Sequence, residues 1–380
     1  MEAEHREHRL KTVVKILSVI GLVYLFLLSI GLMSAAFKGF GREFAENLIR
    51  TTSNPFVSLL IGVMATGLVQ SSSTTTSIVV GMVGCGVMTV TNAIPVILGA
   101  NIGTAVTNTM VALGHVSRRE EFKRAVTGAT VHDFFNLLCV AVFFPLELAF
   151  GWLEKGATWM TSLFAGSSGV TFESPLTMIT RPIVKAVEHL LLSLPGLSGK
   201  AGYVLLLILS FIIIFVSLLF IVKIMKSLVL QRAEAVFDNL LGRHAILGII
   251  AGTLFTIFVQ SSSITTSLLV PMVAAGIINV EASFPIVLGA NIGTTTTAIM
   301  ASFATGNPAA ITIAFVHFLF NFTGVVAMAQ INTLRAIPIW LAKKLGELSY
   351  KNRAIAFVYV AMIYFIVPGL MILLSRLWNN

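Results

Sequence analysis

Long apolar stretches recur along the chain, separated by short polar segments. Within each stretch apolar residues follow one another, whereas the strands of a membrane β-barrel alternate apolar and polar residues. Each stretch has roughly the 20 residues that an α-helix needs to cross a bilayer. The pattern predicts an all-α polytopic membrane protein, with spanning helices at residues 13–33, 126–146, 203–222, 309–331 and 354–374.

Two polar tracts interrupt this pattern. Eight consecutive small polar residues, 70–77, follow an apolar run at 55–69, and a similar tract at 260–267 follows a run at 245–259. A run of about 15 residues forms a helix of roughly 22 Å, which is too short to cross a hydrocarbon core of about 30 Å. Non-helical backbone is tolerated at membrane depth only where protein or water surrounds it. The tracts therefore predict two re-entrant helical hairpins, with their polar tips inside the protein.

The sequence contains an internal repeat. QSSS at 70–73 recurs at 260–263, and GANIGT at 99–104 recurs at 289–294, so these two pairs of blocks share one offset. HDFFN at 132–136 and HFLFN at 317–321 form a third matching pair with a slightly smaller offset. Matching blocks in the same order indicate two homologous halves. We divide the chain into an N-terminal cytoplasmic segment and first scaffold helix (1–45), repeat one (46–150), an external loop, scaffold helix and cytoplasmic linker (151–240), repeat two (241–332), and a cytoplasmic loop with a last scaffold helix (333–380).

The charge distribution suggests that the two halves are inverted. The chain is 56% hydrophobic and 11% charged, with a net charge of +9, a composition that excludes a soluble protein. Its basic residues lie mainly in short loops, as the positive-inside rule predicts for cytoplasmic loops. The loop at 117–124 of repeat one is basic, whereas the equivalent loop at 304–308 carries no charge. Opposite orientations predict an inverted-topology repeat, which is typical of secondary transporters.

The GANIGT blocks also suggest a binding site. Gly99, Asn101 and Gly103 interrupt an apolar run, as do their counterparts in repeat two, and predict broken helices. Free N–H groups at a helix N-terminus attract anions, whereas carbonyl and hydroxyl oxygens suit Na⁺. Small residues are also common at helix contacts in membranes, so simple packing is the alternative interpretation. Two recurring polar tracts favour a site for an anion together with sodium.

Asp133 is the most informative single residue. It lies in the apolar run at 126–146, where an ionised carboxylate is costly and indicates function. Its counterpart is Phe318, so this acid occurs in one repeat only. The alternative is a solvated residue near the cytoplasmic interface. Asn136 and Asn321 could each offer an amide oxygen to a cation, whereas His132 and His317 are more typical of hydrogen-bonded structural histidines.

The paired VQSSS blocks, NIGTAVTNT with NIGTTTTA, and HDFFN together resemble the type II sodium-dependent phosphate cotransporter family. The chain is similar to a compact bacterial-type member. The resemblance implies that Asp133 marks an electrogenic member and binds sodium. Further sodium ligands implied by the resemblance are Gln260, Ser261, Thr294, Thr297 and Asn136; residues expected near phosphate are Gln70, Ser71, Ser72, Ser73, Thr104, Ser262, Ser263 and Arg119.

The sequence therefore predicts a symporter that imports HPO₄²⁻ with three Na⁺ by alternating access, with Na⁺ as the coupling ion and no further cofactor. The resemblance also implies a homodimer in the bacterial inner membrane. A sodium-coupled carrier of another oxyanion or of a dicarboxylate remains the main alternative. An intramembrane hydrolase that uses Ser71 or Ser261 is disfavoured, because the nucleophile would be duplicated without a distinguishing activating group. A channel is disfavoured because discontinuous helices indicate alternating access.

Overall fold

The computed structural model describes residues 2–165, 175–240 and 245–378, and every regular element in these ranges is a helix. The expected all-α architecture is confirmed. The helices are α1 Glu2–Gly39, α2 Arg42–Thr51, α3 Pro55–Val69, α4 Ser72–Gly84, α5 Val90–Gly103, α6 Val106–Leu113, α7 Arg119–Phe150, α8 Trp152–Ala165, α9 Pro175–Ser193, α10 Lys200–Leu240, α11 Ala245–Val259, α12 Ser262–Ala275, α13 Val280–Thr305, α14 Pro308–Gln330, α15 Asn332–Lys351, α16 Ala354–Ala361 and α17 Val367–Trp378; a π-helical turn, Met362–Ile366, joins the last two.

Seven helical segments within the described ranges are long and apolar enough to cross a membrane. Five of them coincide with the apolar stretches predicted from the sequence to within one residue at their ends or contain them, so the multi-pass membrane protein is confirmed. The other two, Val90–Leu113 and Val280–Thr305, contain the GANIGT blocks. The glycine, asparagine and threonine residues of these two segments lower their mean hydropathy, so the sequence analysis did not identify them as spanning helices. Residues 166–174 of the predicted external loop and residues 241–244 at the start of predicted repeat two fall outside the described residues.

Each QSSS tract joins two short helices. Gln70 ends α3 with φ 55° and Gln260 ends α11 with φ 58°, and these are the two non-glycine residues with positive φ in the part of the chain that the structure describes. The next serine caps the following helix: Ser71 Oγ accepts from the Thr74 N–H, as Ser261 Oγ does from residue 264. A left-handed residue followed by an N-cap ends one helix and starts another.

The chain folds back on itself at the second tract. The hydroxyl oxygens of Thr256 on α11 and Thr265 on α12 lie 2.6 Å apart, so the two short helices run side by side from the tip. We call α3 with α4 hairpin one, and α11 with α12 hairpin two.

The two hairpins approach the centre from opposite ends of the molecule. At the base of hairpin one, the Gly84 carbonyl accepts from Asn307 Nδ2 at 2.7 Å, just beyond the end of α13. At the base of hairpin two, Gly276 shares a cavity with Glu281 at the start of α13. Because the 26-residue α13 is about 39 Å long, the bases are far apart while the tips meet. This is the geometry expected of inverted repeats.

The predicted helix break in repeat two is wrong. Helix α13 runs continuously through its GANIGT block, and in repeat one the equivalent span is interrupted only between α5 and α6, at residues 104–105. The glycines of these blocks serve close packing instead. A Cβ atom added at Gly99 would lie 1.9 Å from the carbonyl oxygen of Leu59. One added at Gly289 would lie 2.0 Å from the carbonyl oxygen of Ile249. The glycines let α5 and α13 lie directly against α3 and α11.

Gly289→Ala should therefore destabilise the protein. The added methyl group would meet backbone and not a flexible side chain, and overpacking of this kind costs about 1–3 kcal/mol. We expect a melting temperature several degrees lower for the protein in detergent. Gly21→Ala is the matched control, since no atom lies within 4 Å of the added Cβ. Equal melting temperatures for the two variants would contradict this account of the glycine.

Helix α10 encloses the centre from one side. It packs along most of α1, outside the two repeats, and contacts hairpin two through α11. At the other side, α17 packs against α3 and α15 packs along α7. The hairpin tips consequently lie between the repeats and these additional helices.

Candidate functional site

The two hairpin tips face one cavity of about 250 Å³. Hairpin one contributes Gln70, Ser71 and Ser73, and hairpin two contributes Gln260, Ser261 and Ser263. A water molecule occupies about 30 Å³ of liquid, so the cavity can hold a small oxyanion with several waters. A larger cavity of about 570 Å³, between α1, α9 and the end of α13, contains none of the predicted site residues. The wall that α10 contributes to the tip cavity is apolar and consists of Phe215, Leu218, Leu219 and Val222.

The tips present helix ends of both polarities to this cavity. The N–H groups in the first turn of a helix have no intrahelical acceptors, so those of Ser72 and Ser73 on α4, and of Ser262 and Ser263 on α12, can bind an anion. The C-terminal ends of α3 and α11 carry partial negative charge instead and suit a cation. No charged side chain is among the described residues that line the cavity. Backbone and hydroxyl groups therefore supply its chemistry.

Three of the predicted sodium ligands lie close together in repeat two. Thr297 Oγ1 donates to Gln260 Oε1 at 2.9 Å. Thr294 lies one helical turn before Thr297, is 2% exposed, and its Oγ1 has no hydrogen-bond partner among the described residues. Buried polar atoms are nearly always partnered. An orphaned hydroxyl beside an amide oxygen is an arrangement that a hard cation could complete.

Asn136, the predicted ligand from the other repeat, belongs to a buried polar network. Its Nδ2 donates to the Asn101 carbonyl oxygen at 2.9 Å, and its Oδ1 accepts from Asn291 Nδ2 at 3.2 Å. His132 Nε2 lies 2.9 Å from Asn291 Oδ1. The asparagine of the second GANIGT block thus bonds the histidine and asparagine of the HDFFN segment.

A related network occurs with the two halves exchanged, although the bond between its two asparagines runs in the opposite direction. Asn101 Oδ1 accepts from Asn321 Nδ2 at 3.1 Å and lies 3.4 Å from His317 Nε2. The histidines are hydrogen-bonded within the core, as the sequence predicted. The sequence interpretation missed Asn101 and Asn291 as the residues that join the two repeats. A signal was present, since an asparagine occupies the same position in both apolar blocks.

Asn108 is a further polar residue that the sequence interpretation missed. It is 1% exposed, and its Oδ1 accepts from Thr266 Oγ1 at 2.8 Å and from Ser267 Oγ at 3.0 Å. Its Nδ2 lies 3.2 Å from the Nδ1 atom of His132. Asn108 therefore connects hairpin two to the polar network in repeat one.

Asp133 is fully buried, at 0% exposure. The solvated-residue alternative is therefore wrong. Its Oδ2 accepts from Thr109 Oγ1 at 3.4 Å, and its Oδ1 has no partner among the described residues. The hydroxyl groups of Tyr359 and Tyr364 lie beside the carboxyl group but outside strict hydrogen-bond geometry. No ion pair to Asp133 occurs in the described part of the chain, and a buried uncompensated carboxylate is costly. The surrounding oxygens could hold a neutralising cation.

Arg119 lies apart from the predicted phosphate residues. It is exposed at the first residue of α7 and does not line the tip cavity. The structure therefore does not bring Arg119 together with the other residues predicted to lie near phosphate. A basic side chain at a helix end is more stable in water than inside the membrane. Thr104 is buried and donates to the Ala100 carbonyl oxygen at 2.9 Å. Ser72 and Ser262 are also buried behind the cavity surface.

Two inverted repeats, with polar hairpin tips that meet in a central cavity, define a polytopic membrane protein of the kind that includes secondary transporters. Comparison with known sequences identifies the family. The sequence model described as Na⁺/Pi-cotransporter matches residues 25–152 and 213–338, and these ranges contain both repeats. The chain belongs to the Na⁺/Pi-cotransporter family, whose members are transporters and not enzymes.

Similar proteins carry related names. Sodium-dependent phosphate transport protein 2B of Homo sapiens is 34% identical over 443 residues, covering 93% of this chain and 64% of that protein. Sodium-dependent phosphate transport protein 2A of Rattus norvegicus is 32% identical over 426 residues, covering 94% of this chain and 67% of that protein. The chain thus spans slightly less than two thirds of the length of the 2B relative. None of the solved structures matches this chain.

Proposed function

We propose that this protein is a secondary active symporter that couples the entry of inorganic phosphate to sodium. Membership of the Na⁺/Pi-cotransporter family and the names of the similar proteins support this proposal. The observation that carries it is the shared cavity, where two QSSS tips from opposite ends of the molecule meet. The proposed location is the bacterial inner membrane, in which the helices span repeatedly.

Phosphate in this proposal binds between the two tips. Ser73 in the first turn of α4 and Ser263 in the first turn of α12 line the cavity, so the N–H and hydroxyl groups of these two serines would donate to the anion from both repeats. A tetrahedral oxyanion has acceptor oxygens on all sides, so it can accept from both helices together. The donors that line this cavity are neutral. A fixed positive charge would attract the divalent anion strongly and slow its release, and neutral donors avoid this.

Sodium in this proposal binds behind the phosphate. Gln260, Ser261, Thr294 and Thr297, with Asn136, form one site, and Asp133 forms a separate site. Moving a charge across the membrane potential changes its free energy by about 2.3 kcal/mol per 100 mV. Two Na⁺ with HPO₄²⁻ would be electroneutral, whereas three carry a net charge of +1 that the inside-negative potential drives inward. The carboxylate of Asp133 would neutralise the additional cation, so we propose three Na⁺ per phosphate.

Alternating access completes the proposal. The tip cavity is bounded by both repeats and by α10, so movement of the hairpins relative to α10 and α1 would change its exposure.

The homodimer implied by the sequence resemblance also stays a prediction. Chemical cross-linking in native membranes, compared with the mass of the protein in detergent, checks it.

The test is uptake of labelled phosphate into proteoliposomes. An inward sodium gradient should drive phosphate accumulation, and an equal gradient of choline should not. Unlabelled phosphate, arsenate, sulfate and succinate are then added as competitors. Strong inhibition by sulfate or succinate, with little by phosphate, would contradict the proposed substrate and favour the carrier of another oxyanion or of a dicarboxylate.

A further inference from the structure

The two repeats carry the same five oxygen-bearing residue types at equivalent positions. The proposed sodium site of repeat two uses a glutamine and a serine at a hairpin tip, two threonines one helical turn apart on the following span, and an asparagine from the other repeat. The matched QSSS, GANIGT and histidine blocks relate each of these residues to a counterpart in the opposite repeat. The counterparts form a second set of identical composition: Gln70, Ser71, Thr104, Thr107 and Asn321.

The structure places this second set in the equivalent surroundings. Gln70 and Ser71 form the tip of hairpin one, as their counterparts form the tip of hairpin two. Gln70 Nε2 contacts Met110 Sδ at 3.2 Å, one helical turn beyond Thr107, and Thr107 lines the same cavity as Gln70. Asn321 contacts Asn101 as Asn136 contacts Asn291, but the direction of the bond is reversed: Asn321 Nδ2 donates to Asn101 Oδ1, whereas Asn136 Oδ1 accepts from Asn291 Nδ2.

Two oxygens of this set are buried without a partner. Asn321 is 1% exposed, and its Oδ1 has no hydrogen-bond partner among the described residues; the same holds for the buried Oγ1 of Thr107. Thr104 Oγ1 donates its proton to the Ala100 carbonyl oxygen, so its lone pairs remain available. Orphaned buried polar atoms require an explanation, and a hydroxyl together with an amide oxygen suits a monovalent hard cation.

We propose that Gln70, Ser71, Thr104, Thr107 and Asn321 form a second sodium site, related by the inverted repeat to the site at hairpin two. This inference rests on the proposed function. It transfers the side chains of Gln70, Ser71 and Thr104 from phosphate to sodium, and leaves phosphate to the N–H groups between the tips. The two symmetric sites and the unpaired site at Asp133 together account for three Na⁺ per phosphate.

The experiment measures sodium and phosphate entry together, as labelled sodium and labelled phosphate in the same proteoliposomes. Thr107→Val removes a hydroxyl with little change of shape. We expect one fewer Na⁺ per phosphate than in the unmodified protein and at least a tenfold rise in half-saturating sodium. Thr107→Ser, which retains the hydroxyl, should keep the original ratio. Thr130→Val is the matched control, because the hydroxyl of Thr130 donates only to the Val126 carbonyl oxygen of its own helix.

A second readout separates this inference from the proposed function. The melting temperature in detergent is recorded in sodium chloride and in choline chloride without phosphate, so sodium binding is seen whether or not phosphate is transported. Thr107→Val and Thr104→Val should each reduce the sodium-dependent increase, whereas Thr130→Val should not. If the unmodified protein transports phosphate with sodium but both variants keep the sodium ratio and the thermal response, the second site is wrong and the proposed function stands. A raised KM for phosphate with an unchanged sodium ratio would also overturn it, since the threonines would then serve phosphate.

Discussion

Asp133→Gly should abolish net charge movement per phosphate and leave sodium-driven phosphate uptake measurable. The carboxylate is fully buried, lacks an ion pair in the described structure, and has one oxygen without a partner. Such a group is costly in its charged form unless a cation neutralises it. Without the carboxylate, the additional Na⁺ has no negative group to neutralise and should not bind. The charge transported with each phosphate should therefore fall from +1 to about zero.

Voltage-clamped membranes that contain the protein provide the measurement. Current and labelled phosphate uptake are recorded together, and their ratio gives the charge per phosphate. Glu147→Gln is the matched control, because this acid lies on the same helix but accepts the Leu153 N–H at 2.6 Å and caps the start of α8. Asp133→Gly with an unchanged ratio would show that the third sodium binds elsewhere.

Gln260→Gly should raise the half-saturating sodium concentration by at least tenfold. Gln260 has a left-handed backbone, with φ 58°, which glycine adopts without strain. The substitution therefore removes the side-chain amide while the turn at the hairpin tip is retained. Since Gln260 Oε1 accepts from Thr297 Oγ1, the loss should affect the proposed sodium site directly. Gln260→Ala removes the same amide but keeps a Cβ atom at this positive φ, so it should melt at a lower temperature than Gln260→Gly.

A double-mutant comparison tests whether the two residues act together. Thr297→Val alone should also raise half-saturating sodium, and combining it with Gln260→Gly should add little, because residues that share one interaction are not additive. Thr295→Val is the matched control on the same helix, since the Thr295 hydroxyl donates to the Ile292 carbonyl oxygen. Additive effects, or an equal effect of Thr295→Val, would show that the contact between Gln260 and Thr297 does not form the site.

The repeat and its hairpins could be predicted from the sequence because their signals are local. A short apolar run followed by QSSS limits the length of helix that can form, and the shared offset of the QSSS and GANIGT blocks shows that the same element occurs twice. Opposite orientations of the two halves were predicted from loop charge. The structure then adds that the hairpin bases lie at opposite ends of α13.

The continuity of α13 could not be predicted in the same way. A glycine in an apolar run is compatible with a break and with close packing, and the choice depends on what lies opposite. Gly289 faces the backbone of α11 at Ile249, a contact between segments that are distant in the sequence. Tertiary packing therefore overrides the low intrinsic helix propensity of glycine.

The surroundings of Asp133 also lay beyond the sequence. The position of Asp133 near a cytoplasmic loop permitted either solvent or a buried site. Burial results from packing of α7 against other helices, and Tyr359 and Tyr364 come from the last helices, outside both repeats. No internal symmetry pointed to them. The network of Asn101 and Asn291 is similar, because the side-chain oxygen or nitrogen of each asparagine bonds an asparagine across the interface between the repeats.

The central claim is that two symmetric sodium sites and the Asp133 site load around one phosphate at the hairpin tips. Simultaneous measurement of labelled sodium, labelled phosphate and net charge, in proteoliposomes with the membrane potential set independently, tests it most directly. The account predicts three Na⁺ and one net positive charge for each phosphate, with uptake increasing as the interior becomes more negative. Phosphate entry that is independent of the sodium gradient, or that carries two Na⁺ and no net charge, would contradict it.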